Sequence, residues 1–148
     1  MIKYEINKLH NTAQMGKEYC EHIMRYVTDE RLMNTIRTQR EVYEEQMHKM
    51  EKVYYGLDDI GAIKSIYFSW MMKMDLFLKH NTYDLIKCLL RGNLMGIQGL
   101  TKFIQCPFNS EDSKKYAREM LQAINKNVQQ IMDEYLYQED NLVCECQS

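Results

Sequence analysis

The chain has 148 residues, 45% of them apolar and 27% charged, with a formal net charge of −2, one proline, six glycines and five cysteines. That length bounds it at about one domain, and the overall composition is that of a globular chain and not of a disordered one. The intermixed charges exclude the basic face of a nucleic-acid binder, and an odd cysteine count without framework spacing excludes a disulfide scaffold.

Good helix formers dominate, twelve methionines among them, and no stretch sustains an alternation of period two, so an all-α fold is expected. The opening MIKYEINKLH is polar and lacks the apolar centre of a secretory leader. The most apolar run, residues 66–78, carries Lys73 and Asp75 and is too short to span a bilayer. A cytoplasmic protein is expected, with neither a membrane nor a nucleic acid as partner.

Punctuation divides the chain into five helical segments. The first covers about residues 2–27. Thr28 or Asp29 caps the second, which runs to about Tyr55 and stops at Gly56, a residue type that ends helices at little cost. The third lies at about 59–79, behind Asp58 or Asp59. Asn81 and Thr82 cap the fourth, which ends before Cys106 and Pro107. The run NSED (109–112) starts the fifth, with a polar cap and then acids at the positive end of the helix dipole, and this helix reaches about Tyr137. Residues 138–148 continue no periodicity and form a loose tail beyond a single domain of residues 1–137.

Residues placed about 100° apart give each long segment one apolar stripe. Ile6, Leu9, Ala13 and Cys20 share the first, and Leu32, Ile36, Tyr43, Met47 and Met50 the second. The fourth segment aligns Ile86, Leu89, Leu90, Ile97 and Leu100, and the fifth Ala117, Leu121, Ile124, Val128 and Ile131. Such helices bury their stripes most simply as a four-helix bundle of two antiparallel hairpins, with the segment at 59–79 as the crossover. A weak internal repeat, AQMGKE (13–18) against NLMGIQ (93–98), sets Gly16 and Gly96 at the flanks of their stripes. Glycine there lets two helix backbones approach closely.

The stretches NTAQMG (11–16), REVYEE (40–45), SWMMKMD (69–75) and LLRGNLMGIQGLTK (89–102) resemble a group of small uncharacterised bacterial ferritin-like proteins, over most of residues 7–136. The resemblance implies a ferritin-like four-helix bundle with a crossover helix. It implies little about function, because this fold hosts metal enzymes, storage proteins and inert bundles.

Metal-binding bundles of that kind need carboxylates, and His three residues on, projecting from the inner stripes. Glu45 and His48 have that spacing but fall on the outer side of their helix, and Glu18 also points outward. They are the weak candidates for a di-metal centre, and no cofactor is expected. The inner faces instead carry amides: Gln39, Gln46, Asn93 and, nearer a margin, Asn125. These amides form a hydrogen-bonded layer that fixes register, or else hold a small neutral ligand. Cys88 is expected to face outward, and Cys144 and Cys146 on the tail are a weak soft-metal or redox pair.

The leading expectation is a non-catalytic bundle that works by self-association, most simply as a dimer, or by binding a protein partner. A metal-binding or oxidoreductase relative and a small-ligand carrier are the alternatives. The crossover segment carries a second apolar stripe of Phe68, Met72 and Leu76, the candidate association surface. Sedimentation of a Met72→Glu variant is expected to give a smaller mass than the wild type; equal masses would remove this surface.

Overall fold

The computed structural model describes residues 2–57 and 81–136, so the segment expected at 59–79, with Phe68, Met72 and Leu76, and the tail with Cys144 and Cys146 lie outside the described residues. Within them the chain forms four α-helices and no strand: α1 (Ile2–Met24), α2 (Glu30–Val53), α3 (Thr82–Gln105) and α4 (Glu111–Ile131), the last continued by one π-helical turn, Met132–Leu136. None of these helices is long and apolar enough to cross a membrane.

The starts are set by side-chain caps. Asp29 accepts from the Leu32 amide at 3.0 Å, Asn81 from the Asp84 amide at 2.8 Å, and the Ser110 hydroxyl from the Ser113 amide at 3.2 Å, each satisfying one of the amides that a helix start leaves without a partner. Beyond α2 the chain turns at Gly56 with φ +68°, a left-handed conformation that a side chain disfavours. The end of α1 comes earlier than periodicity suggests. Arg25 and Tyr26 donate to carbonyls only three residues back, which tightens the last turn and ends the helix.

Contacts between side chains fix the directions. Moving up α1, His10 meets Glu51, Gly16 meets Tyr43 and Lys17 meets Glu44, so α1 and α2 are antiparallel. Gly96 faces Ile124 and Asn109 donates to the Phe103 carbonyl, so α3 and α4 are antiparallel too. Tyr54 packs edge-on to Tyr116 and Thr35 reaches Glu134, which makes α2 and α4 antiparallel neighbours. Glu5 of α1 bonds Ser110 at the start of α4, so these two helices begin at the same end of the bundle. It follows that α2 and α3 run parallel across the diagonal. Leu57 and Asn81 therefore lie at opposite ends.

The core is the stripe residues, Ile6, Leu9, Leu32, Ile36, Leu89, Leu100, Ile124 and Ile131 among them. Two of its contacts replace aliphatic packing with an aromatic ring laid on a glycine. A methyl group built on Gly16 would sit 2.5 Å from Tyr43 Cζ, and one on Gly92 would sit 2.6 Å from Tyr19 Cε1. The close neighbour of Gly16 is thus a ring and not, as expected, a second backbone. At Gly96 the neighbour is a methyl of Ile124, at 3.3 Å from such a carbon, and at Gly99 there is nothing within 4 Å among the described residues.

These differences give opposite signs to one substitution. Gly16→Ala is expected to lower unfolding free energy by about 1–3 kcal/mol through overpacking, in spite of its gain in helix propensity. Gly99→Ala meets open space and is expected to raise it by up to about 1 kcal/mol. Urea unfolding of both variants checks the pair.

Candidate functional site

At one end of the bundle Glu5, only 6% exposed, reaches from α1 to the start of α4. Its carboxylate accepts from the Ser110 amide at 3.0 Å and the Ser110 hydroxyl at 2.8 Å. Burial alone would push this carboxyl up, but the two bonds from Ser110, with Ser113 nearby, outweigh it and hold the group below its ordinary value of 4.5. A negative charge beside the first turn of α4 also meets the positive end of that helix. One turn along α1, buried His10 donates from Nε2 to Glu51 Oε1 at 2.8 Å, while its Nδ1 is enclosed without a partner among the described residues. Both groups tie helices together, and among the described residues neither belongs to a cluster of three acids, imidazoles or thiols.

Farther along lies a layer of amides. Gln39, Gln46 and Asn93 are buried, and Asn93 Nδ2 donates to Gln39 Oε1 at a long 3.5 Å. The inward amide of α4 is Asn127, while Asn125 is exposed, which corrects the expected layer. The buried positions of α4 run 113, 117, 120, 124, 127 and 131, alternating steps of four and three. The stripe read through Leu121 and Val128 is centred one position too far round the helix. Gln39 Nε2, Gln46 Oε1 and Asn127 Nδ2 have no partner among the described residues, an arrangement that a bridging water would satisfy.

Between α1 and α3 the bundle surface opens into a cleft. Its inner slot has a volume of about 190 Å³ and is walled by Thr12, Met15 and Gly16 of α1, by Gly92, Met95, Gly96 and Gly99 of α3, and at its base by Tyr43 and Ile124. It shares Thr12, Met15 and Gly99 with a wider mouth of about 470 Å³, where Lys8, Asn11, Lys102, Phe103 and Asn109 stand. Glycine creates this slot, because each missing side chain on α3 leaves backbone where a Leu or Met would fill the space. Leu94 and Met95, 53% and 45% exposed, stand on the outer side of α3 beside it.

Tyr43 is the feature that gives the slot chemistry. It is 7% exposed, its Cζ is the ring atom nearest Gly16, and its hydroxyl has no hydrogen-bond partner among the described residues. Burial, with Cys20 close by, pushes this phenol well above its ordinary range, so it stays protonated and able to donate. Tyr19 differs on that point: its hydroxyl donates to the Cys88 carbonyl across the α1–α3 seam.

Of the other residues singled out in the sequence, Glu45 and His48 are exposed, with Glu45 pairing Lys49 on its own helix at 3.6 Å. Glu18 is half-buried, not turned to solvent as expected. Among the described residues no three His, Cys, Asp or Glu side chains gather closely enough to hold a metal. Cys88 is buried at 8% exposure and so does not face outward, because the Tyr19 ring lies along that side of α3. Burial also pushes the Cys20 thiol up to about 12, which removes it as a nucleophile.

Sequence reasoning missed Glu5, His10 and the cleft. A signal existed for the first two: Glu5 stands four residues before Leu9, and His10 four after Ile6 and three before Ala13, so both border the inner stripe. For the cleft the signal was the run of glycines at 92, 96 and 99, three on nearly one side of a single helix. No protein-family model, no curated protein and no solved structure matches the chain.

The Glu5 bonds set a pH dependence. A carboxyl whose folded pKa lies below its unfolded value near 4.5 contributes stability that is present above 4.5 and lost as pH falls through the folded pKa. Glu5→Gln is expected to be less stable than the wild type at neutral pH, and the gap is expected to close on acidification below that value. Urea midpoints measured at several pH values check it.

Proposed function

We propose that this protein is a ferritin-like bundle that binds instead of catalysing, and that its ligand is a small molecule held in the cleft between α1 and α3. The ferritin-like part of the reading is supported by the parallel course of α2 and α3, which sets Leu57 and Asn81 at opposite ends of two antiparallel hairpins. The binding part rests on one observation, the largely buried Tyr43, which lines a glycine-walled slot and whose hydroxyl has no hydrogen-bond partner among the described residues. A phenol at the wall of an otherwise largely apolar slot offers a ligand one polar contact, worth about 1 kcal/mol as a neutral hydrogen bond. Volume agrees. An apolar cavity of about 150 Å³ accepts a benzene ring, and the slot is somewhat larger.

This reading selects the small-ligand carrier from the alternatives open in the sequence, but moves its site from the interior amides to Tyr43. None of Gln39, Gln46, Asn93 or Asn127 lines the slot.

The test uses a neutral probe and a variant chosen to fold. A side chain at Gly99 meets open space and projects into both parts of the cleft, so Gly99→Leu is expected to melt no lower than the wild type. Titration calorimetry with p-propylphenol is expected to show binding to the wild type and none to Gly99→Leu. Equal binding to both, or to neither, would remove the cleft as the site.

A further inference from the structure

We propose that the ligand is a phenolic carboxylic acid, with its ring on the glycines of α3, its hydroxyl at Tyr43 and its carboxylate at Lys8 and Lys102. This inference rests on the cleft being a binding site and adds the class of molecule it takes.

The two ends of the cleft differ in chemistry, and the middle suits a flat ring. At the inner end the Tyr43 hydroxyl is a neutral donor and acceptor with no described partner. Beside it, Thr12 gives its own proton to the Lys8 carbonyl at 2.9 Å and keeps lone pairs for a donor within the slot. A ligand hydroxyl can accept from the first and donate to the second; an alkyl tail would leave Tyr43 unsatisfied.

In the middle, the bundle already shows what lies well on a helical glycine. The rings of Tyr43 and Tyr19 rest on Gly16 and Gly92 so closely that a methyl group would collide. Gly99 has the same bare backbone and nothing over it, and Gly96 is met only by a single methyl. A planar ring fills this vacancy on the pattern of the two internal ones, with dispersion contacts along its whole face.

At the mouth stand two exposed lysines and no acid. Lys8 lies over the Tyr4 ring with its ammonium 4.7 Å from the centroid, and neither it nor Lys102 is in an ion pair with a described residue. Asn11 also lines the mouth, and its side-chain oxygen is buried without a described partner; rotating that amide by a half-turn presents N–H donors at the same place. Two cations and an amide lining one end complement an anion, and a carboxylate is an anion small enough to sit there beside a ring.

Three probes of one shape separate the parts: p-coumarate has both polar ends, cinnamate lacks the hydroxyl, and p-propylphenol lacks the carboxylate. Calorimetry is expected to rank p-coumarate first. Its advantage over p-propylphenol, about tenfold for one charge-assisted contact, is expected to vanish in Lys8→Gln/Lys102→Gln. Its advantage over cinnamate, about fivefold for one neutral hydrogen bond, is expected to vanish in Tyr43→Phe. Both substitutions leave the ring packing or the surface backbone intact, and thermal melting verifies that each variant is folded. If p-propylphenol binds as tightly as p-coumarate, or the lysine variant keeps the advantage, the anionic assignment is overturned while the cleft stands. If cinnamate equals p-coumarate, the Tyr43 assignment is overturned. If none of the three binds the wild type, the cleft reading fails as well.

Discussion

Two tyrosine rings laid on bare helical backbone hold α1 in place. Tyr43 comes from α2 onto Gly16, and Tyr19 goes from α1 onto Gly92, so α1 is keyed to both of its neighbours by the same device. Each key requires a ring on one helix and the absence of a side chain on the other. A glycine inside a helix costs about 1 kcal/mol of propensity relative to alanine, and the ring contact is what that cost permits. The Tyr19 hydroxyl then reaches the Cys88 carbonyl beyond the ring, which locks the α1–α3 register with a hydrogen bond as well.

The same device explains the cleft. A glycine used to admit a ring leaves a hollow wherever no ring arrives, and α3 has two more glycines than it has tyrosines to cover them. Gly96 is partly filled by Ile124 and Gly99 not at all. The seam between α1 and α3 is therefore tight where Tyr19 crosses it and open one to two turns further along α3. Tyr43 arrives at this opening from α2, its ring against Gly16 and its side chain lining the slot. The cleft is thus a by-product of how the helices are keyed.

Polar groups inside the bundle divide by whether they have a full set of partners. Glu5 is satisfied by Ser110 and joins the starts of α1 and α4. His10 is half satisfied by Glu51, and the amide layer has one long bond for its several donors and acceptors. A satisfied buried group specifies an arrangement, while an unsatisfied one marks room for water or a ligand. Tyr43 stands apart from both groups: it lines the slot, and its hydroxyl has no hydrogen-bond partner among the described residues.

Much of the scaffold was legible in the residues. Asp29, Asn81 and Ser110 cap helices because their side-chain oxygens reach amides two or three positions on, and Gly56 breaks α2 because it accepts a positive φ; both are local effects that need no partner. The inner stripes of α1, α2 and α3 follow from the helical period, which is local as well. What the sequence could not decide was phase to within one residue and the identity of each neighbour. Asn127 replaced Asn125 inside, and Cys88 turned inward, because a helix rotates to suit what it packs against, and a stripe flanked by half-buried positions tolerates either choice. Gly16, Gly92 and Gly99 look alike as letters. Only the assembled bundle decided that two of them carry a tyrosine and the third a hollow, since a side chain's surroundings come from helices many residues away along the chain.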